Sequence, residues 1–460
     1  MVKIENPINP GLPADGVGRA SRVNAMTDEA PAQSPGLTPE EQARGRRLIV
    51  WMACISCTPS LIFSSSMLLL FLTMIQMDRV GTLLCLSIPA LFAMVFQTPF
   101  AHWADRRGKK RLGYAGISLM AVAYLGLLAS ALATSSLARP FVVTAVVIYS
   151  LGSCLYTSGW FALMMPMIPE PVRASFFGRM RVTYQFVALG VGLACSALLE
   201  WRSSSNVFGG IFVAFLAMIL VWLALYGRLP EAEKPVPTLP PFGQALGAVA
   251  RARGYLPFCA YAFLLALFTG GCPFLFGLIE KTILHLSDGT VALLANVRLM
   301  GAILGFYLGG KAVARFGTKP IFLSCHFGFG LVLFAFLWRD AGGGPLLAIL
   351  GSLEFLFGLV MAASSVAFTV EMYALIPPGS KSLSTSLFIT LQGGGAALSG
   401  MLAAWAIRLG VFRDAWTLAG AIRSDYDVLL LIYGTLVVVV AVTLGLVPSV
   451  VGQAQWMPRE

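Results

Sequence analysis

Two residues of opposite charge stand inside stretches too apolar to tolerate either alone: Arg298 interrupts the run 289–310, and Glu354 interrupts the run 345–373. A charge at the centre of a membrane helix costs about 2.5–3.5 kcal/mol on insertion scales, so each must face a partner or a cavity. Gly301, Ala302, Gly305 and Gly309 share the helical face of Arg298, and Gly351, Gly358, Ala362 and Ser365 share that of Glu354. Stripes of small residues let helices approach closely, which turns both charges toward protein instead of lipid. Asn296 adds an amide beside the arginine. The chemistry on offer is that of a switchable ion pair. Arg298 binds an anionic or hydroxyl-rich solute, and Glu354 takes up a proton or trades partners with it. A static pair that only locks two helices is the alternative reading of the same residues.

Other side chains could line the same site. Tyr149, Ser153, Tyr156 and Trp160 share one face of the run 140–165, where aromatic rings either stack on sugars and apolar solutes or pack against neighbours. Gln185 and Gln392 follow matching triplets, Thr183-Tyr184-Gln185 and Thr390-Leu391-Gln392. Buried amides need partners, and these would find them in a ligand or in another helix. Cys57, Ser60 and Ser64 make a weakly polar stripe that reads as packing. Thr269-Gly270-Gly271-Cys272-Pro273 interrupts the run 255–281 and frees backbone groups for a substrate or a hinge.

What must position these groups is a set of membrane helices. Of the 460 residues 57% are hydrophobic and 12% charged, at a mean hydropathy of +0.80; soluble domains carry roughly 25% charged residues. Allowing about 20 residues per crossing, the runs are 48–74, 80–100, 111–133, 140–165, 177–201, 206–227, 255–281, 289–310, 319–338, 345–373, 382–408 and 427–447. That predicts an all-α polytopic membrane protein with twelve transmembrane helices in two pseudo-symmetric six-helix halves. Residues 1–37 read as a disordered tail, and Met26 is an alternative start to Met1. The N-terminus is polar and shows no cleavable signal. Thr38-Pro39-Glu40-Glu41 is a capping box that begins a helix. The first half is 38–228, the proline-rich 229–253 is a linker, the second half is 254–448, and 449–460 is a second tail. Most of the 32 Lys and Arg fall in the tails and in alternate loops, which predicts cytoplasmic termini in the cytoplasmic (inner) membrane. The net charge of +11 therefore sets orientation and does not mark a nucleic-acid surface.

The two halves echo each other. Ala101–Arg111, between the second and third runs, is mostly charged, and Gly310–Lys319 repeats it with Arg106/Arg315, Gly108/Gly317 and Lys110/Lys319 aligned. Ile168–Arg173 is echoed by Ile376–Lys381. Paired halves are typical of secondary transporters.

Asp105-Arg106-Arg107-Gly108-Lys109-Lys110 resembles the Gly-x-x-x-Asp-Arg-x-Gly-Arg-Lys signature that follows the second helix in the major facilitator superfamily. The resemblance extends from about Arg46 to Pro448. Ala101 replaces the first Gly of the motif, and Ala314 replaces the second-half Asp. The resemblance implies twelve helices with both ends in the cytoplasm and a cavity lined by the eighth and tenth helices. It also implies that the fifth and eleventh helices face each other across that cavity. It assigns Asp105, Arg106, Gly108, Lys109 and Lys110, with Arg315 and Gly317, to a cytoplasmic gate. Glu371, Arg173 and Arg179 are the partners it suggests. The bland alternative is a solvated basic loop that only fixes topology.

Other classes fit poorly. The three His residues are scattered, no nucleophile–base set appears, and no metal-ligand spacing is present. The eight Cys all fall in apolar runs, so Cys54-x-x-Cys57 reads as packing. No phosphate-binding loop points to ATP. The reading is a monomeric secondary transporter, without cofactor or metal. It would move a small polar metabolite, neutral or anionic (a sugar, sugar acid or organic acid), by alternating access, with a proton or other ion as coupling partner and the lipid bilayer as its setting. Efflux of amphipathic compounds is the alternative, although Gly190-Val191-Gly192-Leu193-Ala194 lacks the Gly-Pro pair of the family's drug–proton antiporters. A non-transporting sensor on the same scaffold is the third.

Overall fold

In hydrocarbon an unpaired backbone group is costly, so each apolar run closes its hydrogen bonds on itself as a helix. The computed structural model describes residues 37–64, 66–169, 173–230, 242–252, 254–339, 345–375, 381–412, 415–418 and 421–443. The expected tails 1–36 and 449–460, most of the linker and the echo at 376–380 lie outside them. The helices in order are α1 (Pro39–Ser64), α2 (Met67–Met74), α3 (Arg79–Arg107), α4 (Lys109–Leu132) and α5 (Ser135–Met164). Then come α6 (Arg173–Trp201), α7 (Ser205–Gly227), α8 (Phe242–Ala250), α9 (Tyr255–Thr269) and α10 (Cys272–Leu278). The last are α11 (Asp288–Phe316), α12 (Thr318–Leu337), α13 (Leu346–Leu375), α14 (Lys381–Arg408) and α15 (Asp425–Thr443). Among the described residues eleven helical segments are long and apolar enough to cross a membrane, the first joining α1 with α2 and the seventh running from α9 to Ile283. α15 takes the twelfth place.

The structure keeps the helix start expected at the capping box and revises the expected limits in three places. α1 starts at Pro39, upstream of the apolar run, because the capping box works: Thr38 N–H donates to Glu41 Oε2 at 2.9 Å and Glu41 N–H donates to Thr38 Oγ1 at 3.3 Å. The charged stretch 101–111 is helical on both sides of Gly108, the one residue between α3 and α4. Gly108 has φ 102°, and Gly317, which alone separates α11 from α12, has φ 79°. One-residue corners of that hand suit glycine, which explains why the echo keeps both. The linker contains α8. Residues 416–418 and 421–423 pair as an antiparallel hairpin, β1 (Trp416–Leu418) with β2 (Ala421–Arg423), the one β element among the described residues of an otherwise helical chain.

The corners at Gly108 and Gly317 lie on one side of the bundle, here called the basic face. α1–α7 form the first half and α9–α15 the second. Inside each half, helices approach backbone to backbone. Gly116 of α4 and Gly152 of α5 lie against each other, while Gly301 and Gly305 of α11 sit under the carbonyls of Phe355 and Leu359. Gly358 of α13 sits in turn under the carbonyl of Arg298. The halves meet along α3–α14 and α6–α11, where Thr98 and Thr390 hydroxyls are 2.6 Å apart.

A Cβ at Gly358 would overlap the Arg298 carbonyl, whereas one at Gly310 meets open space. Gly358→Val is therefore expected to cost about 1–3 kcal/mol of overpacking and to lower the Tm of the detergent-purified protein, with Gly310→Val close to wild type. Equal Tm values for the two variants would contradict the close α11–α13 contact.

Candidate functional site

A cavity of about 920 Å³ lies between the halves, within the size range of small-molecule sites. On α6 it is lined by Phe177, Arg181, Tyr184, Gln185 and Ala188, spaced as one helical face, and on α14 by Ile389, Gln392, Gly393 and Ala396. Its lining uses the last turns of α5 and the first turns of α6, so it extends toward the basic face. Toward the opposite face it stops near Asn296 and Gly270.

Beyond that level the halves are pinned together. Asn296 Nδ2 donates to Ser196 Oγ at 3.1 Å and to the Ala292 carbonyl at 2.9 Å. Ser287 bonds Glu200, and Ser203 bonds Asp288. Arg79 Nη1 lies 3.8 Å from Asp425 Oδ2 and over the Tyr426 ring. Gly277, just above the break between α9 and α10, packs against Ser66 and Leu69 of the first half. The arrangement is closed at the opposite face.

Arg298 reaches the cavity wall and is otherwise buried, at 6% exposure. Its Nη1 donates to both Glu354 oxygens at 2.9 Å. Glu354, at 1% exposure, stands behind it, away from the cavity. The pair predicted from the stripes of small residues is thus formed, across a helix contact tight enough to put Gly358 on the Arg298 backbone.

The other expected residues divide. Gln185, Gln392, Tyr156, Trp160 and Asn296 line the cavity. Neither Gln185 nor Gln392 has a hydrogen-bond partner among the described residues, whereas Asn296 is committed to Ser196 and to its own helix. Tyr156 packs edge-on against Trp222 at 4.7 Å and lies beside Trp160 at 5.2 Å. Tyr149 is placed elsewhere. It is buried, stacked on Phe63 at 3.6 Å and bonded to Ser60 Oγ at 3.3 Å, because α5 turns that part of its face into the first half's own core. Cys57 and Ser60 line the cavity, although they read as packing. The Ser64 side chain lies outside the described residues. The break at Gly270-Gly271 is present, but Gly271 N–H donates to Ser399 Oγ at 2.9 Å, so α14 takes the freed group.

The residues assigned to the gate sit at the basic face. Asp105 pairs with Lys109 at 3.6 Å, and Lys110 donates to the carbonyls of Gly227 and Leu229 at 2.9 and 2.7 Å. Arg106 is exposed. Arg315 lies over Phe316, and Glu371 accepts from Thr318 Oγ1 at 2.6 Å. Each of these contacts stays within one half. Arg179 is exposed, and the Arg173 side chain lies outside the described residues.

Three charged features escaped the sequence reading. Arg181 faces the cavity, its guanidinium 5.6 Å from the Phe306 ring centre across the interface between halves. Its spacing from Gln185 and Ala188 was the available signal. Glu280 is buried at 1% exposure on a π turn, Ile279–Ile283. Arg339 and Asp427 form a fully buried pair within the second half, at 2.5 and 3.2 Å.

A twelve-place helical bundle with an arginine-bearing cavity that stops short of one face is the body of a membrane transporter. The Major Facilitator Superfamily family model matches residues 49–400, and the chain belongs to that superfamily. Among solved structures it is similar to a POT family transporter in complex with a thioalcohol-conjugated peptide, at 12% identity and TM-score 0.67 over 88% of this chain and 95% of that one. It is also similar to the nucleoside transporter NupG, at 14%, 0.61, 87% and 97%, and to a D-xylose-proton symporter, at 15%, 0.62, 86% and 95%. These likenesses establish the fold. Curated protein sequences give no match.

Removing one member of a buried ion pair costs about 3–5 kcal/mol, because the other is left without its counter-charge. Arg298→Gln should therefore lower the Tm markedly, and adding Glu354→Gln to it should recover most of the loss. A double variant no more stable than the single one would show that the two side chains are not coupled.

Proposed function

We propose that this transporter moves a small polar metabolite carrying a negative charge, a sugar acid or an organic acid, by alternating access and with proton coupling. One observation carries the reading. The charged side chains that line the described cavity are two arginines, Arg181 from the first half and Arg298 from the second. Arg298 is balanced by Glu354 from behind, and Arg181 has no carboxylate partner among the described residues. The cavity is therefore net positive, and low-dielectric walls focus that potential on an anion. Gln185 and Gln392, with unspent amides, are placed to take hydroxyl or carbonyl groups. Tyr156 and Trp160 offer ring faces for a sugar or an aliphatic stem.

Transport follows from the two-sided geometry. An anion that accepts from Arg298 adds negative charge beside Glu354, and a proton bound in the same buried cluster offsets it. The opposite-face pins between Arg79 and Asp425, and between Glu200 and Ser287, then release as the halves rock. The gate around Asp105, Lys109 and Glu371 closes the basic face, which the Lys- and Arg-rich loops assign to the cytoplasm.

A second reading draws on a specific feature of the wall. Near the basic face the lining includes Met164, Phe177, Met180, Phe306, Met361 and Phe368, a surface that also suits amphipathic compounds.

The test is a thermal-stability screen of the purified protein against sugars, sugar acids, organic acids, peptides and lipophilic cations at two pH values. At a ligand concentration of 100 times Kd the expected stabilisation is about 2.7 kcal/mol. Organic anions should stabilise the wild type and fail with Arg181→Ala and with the Arg298→Gln, Glu354→Gln double variant. Stabilisation by lipophilic cations alone, unchanged in these variants, would replace this reading with the second.

A further inference from the structure

Glu280 is a buried acidic side chain for which the transport scheme has no use. Its Oε1 is sealed from solvent without a hydrogen-bond partner, and no ion pair reaches its carboxyl among the described residues. It stands on the π turn that ends the seventh crossing, where Leu284 N–H bonds the Ile279 carbonyl across the wide turn. One helical turn earlier, Phe276 stacks on Phe336 at 4.4 Å and meets Phe357 edge-on at 5.2 Å, so its approach is apolar. The charges that act on it are those of Arg298 on α11 and Glu354 on α13.

Every cation nearby is already committed. Arg298 divides its Nη1 between the two oxygens of Glu354. Lys281, next in sequence, pairs with Asp288 of α11. Arg339, just past the end of α12 and stacked over Phe336, is held in two bonds by Asp427 of α15. A carboxylate ion sealed among these groups with no donor would be an uncompensated buried charge, whereas the neutral acid would cost only an unmade hydrogen bond. Two carboxyls and one guanidinium are electrically neutral with one proton bound. Glu354 has the bonds that suit an ion, and Glu280 has none.

We propose that Glu280 is the proton-binding carboxyl of this cluster and that Glu354 is the standing counter-ion of Arg298. The proposal rests on the proton-coupled reading above and sharpens it. With the proton on Glu280, Arg298 answers to a single carboxylate and is available to an anion in the cavity. When Glu280 is ionised, two carboxylates hold the guanidinium back. Proton and anion therefore favour each other's binding, as linkage between two sites requires.

The measurement is the infrared carbonyl band of a protonated carboxylic acid, recorded at neutral pH on the full-length, ligand-free protein in light and heavy water. The wild type should show such a band. Glu280→Gln should abolish it, Glu280→Asp should displace it, and Glu354→Asp, which keeps a counter-ion for Arg298, should leave it in place. If Glu280→Gln does not yield folded protein, the displacement in Glu280→Asp decides. A band that moves in Glu354→Asp and stays put in Glu280→Asp overturns the proposal, as does the absence of any protonated carboxyl in the wild type. Because no substrate is present, the result is independent of transport. Coupling is tested separately, as uptake of an organic anion into proteoliposomes with and without a pH gradient.

Discussion

A guanidinium in hydrocarbon has to be answered by a carboxylate, and that requirement organises the second half of this protein. Arg298 can reach Glu354 only because α11 and α13 touch along their backbones. The contact that permits this, Gly358 against the Arg298 carbonyl, lies one helical turn from Glu354 itself. Gly301 and Gly305 extend the same seam. The pair and the glycines are a single device: the small residues bring the helices together, and the charges fix their register. Because the pair is buried and hydrogen-bonded at both carboxylate oxygens, it can be exchanged for another anion but not simply broken.

The distribution of polar contacts separates strongly held contacts from weakly held ones. Within the second half, Arg339–Asp427 is fully buried and backed by Ser424, whose N–H and hydroxyl both donate to Asp427. Between the halves, the opposite face is held by hydroxyl bonds and by Arg79–Asp425, whose arginine side chain is 50% exposed. Exposed pairs are worth about 0–1 kcal/mol. Separating the halves there is cheap, and separating helices within a half is not. The long α3–α14 seam, with Ser87 against Gly400 and Met94 against Gly394, offers a smooth surface over which one half can turn on the other.

Much of this was legible in the residues. The apolar runs gave the crossings, the echo around Gly108 and Gly317 gave the two halves, and the small-residue stripes gave the facing of Arg298 and Glu354. Matching triplets placed Gln185 and Gln392, and helical spacing placed Tyr156 and Trp160. The same spacing misplaced Tyr149, because a face shared along one helix does not show how deep the cavity runs along it. Arg181 was not singled out within the run 177–201, although it shares a helical face with Gln185. Glu280 was hidden for a different reason. It stands near the end of the run 255–281 with no partner signalled by spacing, and its burial on the π turn is visible only in the fold. Arg339 and Asp427 sit at two ends of separate crossings and become a pair only when the bundle is assembled.

The cavity is graded along its length, and the grading bears on what it can hold. At its closed end stand Asn296, Arg298, Gln185 and Gln392, with hydrogen-bonding groups aimed from both halves. Toward the basic face the wall becomes aromatic and methionine-rich, interrupted by Arg181. A solute with a charged head and a less polar stem fits this gradient in one orientation, head against Arg298. Arg181 stands nearer the basic face, in contact with Phe306 across the interface between the halves. Under the reading proposed above, it is placed to meet an anion on its way to Arg298 and to sense the relative position of the two halves. The same cation would then serve attraction before binding and closure after it, since an anion lodged between the two arginines ties the first half to the second.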